Sequence, residues 1–468
     1  MSSFSERYNK RHGIGGAVVG VIIIVVIIVS ALAGYYAAAA GITASTSTST
    51  QYSTITSTGT PVTSTVTNTA TVSVTNTVSV SGTVTQTITG TPTTVTATTT
   101  ATTTATTTST AVSTSTATSV DTTVATPVLP PFGSTSLPTL STPISEAGSS
   151  LLYPLFQLWA TNFTKDYPNV QVNTAAGGSG AGQTGVEQNT INIGGSDPFL
   201  SNAQVNQYPN ILNIAVAVSA QQVNYNLPGV THQLNFTANI LSGIYNGTIT
   251  YWNSPVIAKA NPLAASQLPD QLIIPLHRSD SSGDTNLFTS YLSAANADWA
   301  KAVGSGNTVA WPSVPTAQAE NGNSGMLQAC SQTQYSIAYI GISYLAQANA
   351  AGLGNGKLQN LAGNFVQITQ ANILSALNAQ AGSTPPSERI SLIYGPGANS
   401  YPIINFEYAL VSSTQANPQL AQDLIALLDF AVLPSYGNSA YFLNQVGFVP
   451  LPANVAQYSY AQINEISG

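Results

Sequence analysis

Charge is what this sequence has least of. In 468 residues there are 9 Lys and Arg against 16 Asp and Glu, 5% of the chain, for a formal net charge of -7. A nucleic-acid footprint needs clustered Lys and Arg, so that class of partner is excluded. Stabilisation by ion-pair networks is excluded with it. Such a chain suits an acidic exterior, where paired carboxylates lose their partners on protonation. Cysteine is limited to Cys330, which leaves no intramolecular disulfide and reads as a small buried apolar residue. The three histidines are His12, His232 and His277, with no H-E-x-x-H and no Cys cluster. A zinc or two-metal phosphatase therefore lacks visible ligands, and no cofactor is implied. Beyond Gly13 the chain has two arginines, Arg278 and Arg389. Arg278 lies in HRSDSSGDT beside Asp280 and Asp284, so its surroundings decide what a scarce cation is for.

What is abundant is strongly segregated. Arg7, Lys10, Arg11 and His12 precede an uncharged run whose apolar centre is Ala17 to Leu32, extended by small residues to Ala40. This predicts a transmembrane helix over 13–40, with 1–12 in the cytoplasm and the rest outside, or else a processed leader of the pilin type. Residues 41–143 are mainly Ser, Thr and Val, and no Lys, Arg, Asp or Glu lies between Arg11 and Asp121. The Thr and Val alternation has no companion apolar face, so the segment is expected to be a disordered, extended stalk open to O-glycosylation. A flexible coil of that size reaches roughly 50 Å r.m.s..

From Ile144 onward the texture is globular. SSLLYPLFQLWATNFTKDY places Leu151, Leu155, Phe156, Leu158, Trp159 and Phe163 at helical spacing. VQVNTA, INIGGSD, LIIPLH, SIAYIG and INFEYALVSS read as strands, between helices such as TNLFTSYLSAANADWAKAV, ANILSALNAQ and PQLAQDLIALLDFAVL. The alternation predicts an α/β domain with mainly parallel sheets, too long for one core and so split into two lobes. Sequons at Asn162, Asn235 and Asn246 fit an outward-facing glycoprotein surface.

Three segments put small residues and a hydroxyl at a strand-to-helix junction: AGSSLLYP (147–154), GGSGAGQTG (177–185) and RSDSSGDTNLF (278–288). Each is either an ordinary N-cap turn or an anion site, because free helix N-terminal amides and glycine allow close approach of an anion. Arg278 is either a salt-bridge partner of Asp280 or a planar fork for a tetrahedral oxyanion. Asp197, in INIGGSDPFLS, is either a turn residue or an acceptor for a ligand that carries a proton. Phosphate carries one and sulfate does not, so an acceptor there would reject sulfate. Ser179 is a near miss to the nucleophile elbow, since Ala181 stands where the second glycine belongs.

From Ser145 onward the sequence resembles the phosphate-binding proteins of ABC transporters, the PstS type. SEAGSSLLYPLFQLWATNF, GGSGAGQTGVEQNTINIGGSDPFLS, IYNGTITYWNSPVIAKANP and HRSDSSGDTNLFTSYLS are similar to four of the family's motifs in the family's order. Two departures stand out: Glu146-Ala147-Gly148 for Gly-Ala-Gly, and Ser150-Leu151-Leu152 for Thr-Phe-Pro. The resemblance implies a two-lobed type II periplasmic-binding-protein fold, with lobe one at 144–225 plus 398–468 and lobe two at 226–397. The crossings would lie near QQVNYNLPG and GPGANSYPIINFEY. It implies phosphate ligation by Ser150, the Leu151 N–H, Ser179 and Asp197, and from the other lobe by Arg278, Ser282, the Gly283 N–H and Asp284. The expected function is an extracellular, membrane-tethered receptor that passes phosphate to ABC permease subunits, not an enzyme. Two acceptors, Asp197 and Asp284, imply a preference for monobasic phosphate, dominant below a second pKa of about 6. The rival is a surface or filament structural protein that reuses the fold without a ligand. The sequence has an archaeal flavour.

Overall fold

A computed structural model describes residues 141–468 in full and, by backbone alone, 64–74, 78–89 and 94–105. The basic N-terminus and the membrane helix expected over 13–40 lie outside the described residues. Among the described residues, no helix is long and apolar enough to cross a membrane. The chain divides into two units, Met1–Val128 and Leu129–Gly468.

In the first unit β1 (Ser64–Val74), β2 (Val78–Thr89) and β3 (Thr94–Ala105) pair in that order as an antiparallel sheet. The register runs from Ser64 opposite Ile88 to Val74 opposite Val78. This corrects the expectation of a stalk without structure. β-branched Thr and Val favour extended backbone, and a ladder pairs its own amides and carbonyls whether or not one face is apolar.

The second unit is an α/β, two-lobed structure built on one continuous sheet. Its strands are β4 (Ile144–Gly148), β5 (Val172–Ala176), β6 (Ile193–Ser196), β7 (Ile211–Tyr225), β9 (Ile274–Arg278), β10 (Gln318–Glu320), β11 (Ser336–Gly341), β12 (Gly354–Asn355) and β15 (Ile404–Ser412). A small sheet of β8 (Asn235–Phe236), β13 (Lys357–Gln359) and β14 (Phe365–Val366) stands apart from it. The main order is β10-β9-β11-β7-β15-β6-β4-β5, with β12 also on β7. The helices around the site are α1 (Tyr153–Asp166), α2 (Ser179–Glu187), α3 (Gly283–Ala295) and α4 (Gly322–Gln332).

β7 belongs to both halves. Ile211 to Ala220 pair with β15, and Gln221 to Tyr225 pair with β11, so the chain changes lobes within one strand. That lies inside the QQVNY stretch read from sequence as a crossing, and β15 opens inside the other. The parallel expectation holds only in part. β4 runs parallel to β5 and β6, and β9 to β10 and β11, but β7 and β15 are antiparallel to their neighbours. A strand that returns from the opposite lobe enters the sheet from its far end, which reverses its direction. Both crossing strands are buried almost throughout, so they read as continuous apolar runs broken by a few buried polar residues.

α1 needs little explanation from local signals beyond Pro154 in its first turn. It docks Leu155, Phe156, Trp159 and Phe163 into the core, with the Trp159 Nε1–H donating to the Gly437 carbonyl at 2.9 Å. Cys330 is buried, and burial pushes its thiol up to about 11, as expected of an inert core residue. Of the sequons, Asn246 is exposed; Asn162 and Asn235 are half-buried and donate to the Leu158 and Ala260 carbonyls.

Candidate functional site

The three junction segments converge. Each leaves the end of a strand, β4, β5 or β9, and heads toward a helix start, so their amides point into one region between the halves of the sheet. Gly148, at φ +146, packs so closely on the Gly195 carbonyl that no side chain would fit. The turn it permits brings Ser149 round: its Oγ accepts from the Leu151 and Leu152 amides at 3.1 and 3.0 Å and donates to Asp197 Oδ1. Ser150 Oγ accepts instead from the backbone and side chain of Asn323, at 3.1 and 3.0 Å. Ser179 opens α2 and accepts from the Asp197 amide at 3.0 Å.

From the far half come Arg278 and the start of α3. Asp280 grips Arg278 through Nε at 2.7 Å and Nη2 at 2.5 Å, while Nη1 meets Asp284 at 2.8 Å. These are the two ion pairs among the described residues, and both guanidinium partners are largely buried. Ser282 caps α3, its Oγ accepting from Thr285 N at 3.3 Å, which leaves its O–H to donate outward. A methyl group at Gly283 would collide with the Asp197 and Ser179 side chains. The α3 amides therefore approach Asp197 as nearly as a backbone can, and glycine there is required by space. All eight residues read from sequence, Ser150, Leu151, Ser179, Asp197, Arg278, Ser282, Gly283 and Asp284, are buried and brought into this one region.

Asp284 is more committed to the protein than its expected role as a second ligand acceptor suggests. Besides Arg278 it takes the Gln221 amide at 3.1 Å and the Asn323 amide at 2.6 Å. Asn323 also takes the Gly341 N–H at 2.8 Å, so this one side chain links Ser150, Asp284 and β11. Gln221, Asn323 and Ser149 escaped the sequence reading. An amide or a second serine in a polar segment carries no signal of its own. Glu407 did leave one, because it is a lone acid in the wholly buried strand INFEYALVS.

Electrostatically the region is acidic, with four carboxyls and one guanidinium. Burial, then the neighbouring Asp284 charge, pushes Asp197 up to about 7, against the pull of Ser149, Glu407 and Arg278. Burial raises Asp284 as well, although Arg278 opposes it. Burial would raise Asp280 too, but the Arg278 fork outweighs it and holds that carboxyl below the usual range. The region thus offers N–H, O–H and guanidinium donors together with carboxyls that take up protons near neutrality. That suits a tetrahedral oxyanion bearing a proton. It does not suit hydrolysis by Ser179: the described histidine nearest in sequence to the site, His277, stacks on Trp311 at 5.0 Å. No cluster of metal-ligating side chains occurs among the described residues.

Comparison with known proteins identifies the family. Residues 36–434 match the family model described as a PBP superfamily domain. The Pasteurella multocida phosphate-binding protein PstS is 33% identical over 337 residues, covering 71% of this chain and 92% of that protein. PstS of Methanocaldococcus jannaschii is likewise 33% identical, over 67% of this chain and 84% of its own length. Among solved structures, a high-affinity periplasmic phosphate-binding protein bound with phosphate, PfluDING, is 20% identical and covers 68% of this chain and 93% of its own, with a TM-score of 0.55. That last likeness speaks to fold alone. On the strength of the matched domain and of relatives a third identical along the globular part, the chain belongs to the PstS family within the PBP superfamily.

Proposed function

We propose that this chain is an extracellular phosphate receptor that binds inorganic phosphate between its lobes and delivers it to ABC permease subunits. The lobes are taken as 144–225 with 398–468, and 226–397. Donors to phosphate oxygens are Ser150, the Gly283 amide, Ser179, Ser282 and Arg278, joined by the Leu151 amide once the ligand draws it from Ser149 Oγ. Asp197 accepts the ligand's proton, with Asp284 beside it. One observation carries the reading: Gly283, at the start of a helix in one lobe, lies against Asp197 and Ser179 of the other with no space for a methyl group. Such an approach sets amide donors opposite a carboxyl acceptor, the arrangement that admits a protonated oxyanion and refuses an unprotonated one. The N-terminal segment, read as a membrane anchor with residues 1–12 inside, keeps the receptor at the cell surface. The relatives by name are binding proteins, in keeping with a receptor rather than an enzyme.

Titration calorimetry of the full chain with phosphate and with sulfate, at about pH 4 and about pH 7, tests this. Phosphate heat without sulfate heat is expected. Heat with neither anion, from folded protein freed of carried-over phosphate, would favour a structural protein that reuses the fold.

A further inference from the structure

Glu407 belongs to none of the segments from which the site was read, yet it reaches the residue on which anion selection rests. In β15, Tyr408 pairs with Ser196 and Ala409 with Gly195, so one further step along the ladder sets Glu407 across from Asp197. The β7 register shifts between Glu407 and Tyr408, an irregularity of the kind that re-aims a side chain. Two residues earlier on the same face, the Asn405 amide donates to the Asp197 carbonyl. Asp197 is thus fixed from β15 by both backbone and side chain.

The Glu407 carboxyl is fully buried. Its Oε1 accepts from Ser219 Oγ at 2.5 Å, and its Oε2 meets no N–H or O–H of the protein. What lies within hydrogen-bonding reach is the Asp197 carboxyl. Two carboxylates only accept, so they bond only when one keeps its proton. The groups acting on Glu407 are Asp197 at the end of β6, Ser219 on β7 and, at longer range, Asp284 at the start of α3; no cation is among them. Arg278, the cation of the site, pairs with Asp280 and Asp284 and not with Glu407. Burial, then Asp197, raises Glu407 well above the usual carboxyl range, whereas Asp197 is lowered by the same contact. Asp197 accepts from Ser149 as well, whereas Glu407 Oε2 has no donor of its own, so the shared proton sits on Glu407 and points at Asp197.

We propose that Glu407 is a positioning residue of the anion site, donating its retained proton in a hydrogen bond to Asp197 so that Asp197 stays an acceptor toward a protonated ligand. The proposal rests on the receptor reading above. When Glu407 ionises, Asp197 loses a donor and gains a negative neighbour, and phosphate affinity falls. Glu407→Gln keeps the size and an N–H donor but cannot ionise; Glu407→Leu removes the donor.

The experiment is the phosphate Kd of the full chain and both variants across pH. Glu407→Gln is expected to bind as the parent does in acid and to hold its affinity in alkali, where the parent weakens at least about tenfold. Glu407→Leu is expected to bind about 10–100-fold more weakly at every pH, as for loss of a hydrogen bond to a charged acceptor. Should that variant not fold, the infrared carbonyl stretch of a protonated carboxylic acid gives a second readout: the parent shows a band near neutrality that Glu407→Gln lacks. An unchanged pH profile in Glu407→Gln, or the absence of that difference band, overturns the proposal and leaves the receptor reading standing. A parent chain silent to phosphate at every pH overturns both.

Discussion

In the proposed receptor, Asp197 is the residue on which discrimination turns. Its backbone is held by Ser179 and Asn405 and one carboxyl oxygen by Ser149, so it cannot swing away from a ligand it dislikes. An ionised or partly ionised carboxyl so fixed leaves an unprotonated oxyanion facing a buried negative charge. Replacing it by asparagine exchanges that repulsion for an N–H donor. Asp197→Asn is therefore expected to lose about 10–100-fold in phosphate affinity while sulfate binding becomes measurable, as read by competitive titration of both anions. Loss of both affinities in equal proportion would show that Asp197 only supports the fold. Arg278 and its acids were legible as residues because charge is so rare in this chain. Their allocation was not, since sequence cannot tell which of Asp280 and Asp284 takes which guanidinium nitrogen.

At the scale of elements, the strand-to-helix junctions did most to make the site readable. Glycine beside hydroxyls after an apolar run marks a helix start, and the structure builds α1, α2 and α3 after three such runs. The N-cap of α3 is Ser282, whereas Ser149, one residue before the serine singled out from sequence, takes the Leu151 and Leu152 amides in the turn ahead of α1. A one-residue shift of that kind depends on the φ of Gly148, which no local pattern reveals. The Thr-rich strands β1 to β3 were misread for a related reason: hydrophobic alternation was taken as the only route to a strand, and backbone pairing of β-branched residues needs none. Gly283→Ala tests the α3 junction. The added methyl meets side chains of the opposite lobe, so overpacking of about 1–3 kcal/mol falls on the closed arrangement and not on the helix. Phosphate affinity is expected to drop about 10–100-fold with little change in helicity or Tm. A large fall in Tm with affinity intact would place the strain inside one lobe.

Over the whole molecule, the buried acids set the response to pH. Burial raises Glu146 and Glu407 well above their usual range, and pushes Glu388 up to about 8 and Asp429 to about 7. Each is neutral in the fold where the unfolded chain would ionise it. Their contribution is complete below about pH 4 and is withdrawn as pH rises, through about 7 to 8 for Asp429 and Glu388. Asp280 runs the other way, its stabilisation present above its unfolded pKa and lost in strong acid. These raised groups outweigh the one lowered group, so the unfolding free energy from denaturant titration should be larger at about pH 4 to 5 than at about pH 8. A flat or rising trend would mean that these acids are ionised and paired in solution. A mildly acid optimum agrees with the sparse charge of the sequence, although composition alone named none of the acids.

β15 lies between β7 and β6, and it is made late. As the chain leaves the ribosome or a secretion pore, β4, β5 and β6 emerge early but cannot join β7 until residues 404–412 follow. The strands from β9 to β12 are complete well before then. One lobe can therefore close on itself during synthesis while the other waits, its half-built sheet edge exposed, for nearly the entire remaining chain. Any helper that escorts this protein while it folds has that edge to protect, and a chain stopped short of residue 404 keeps it bare for good.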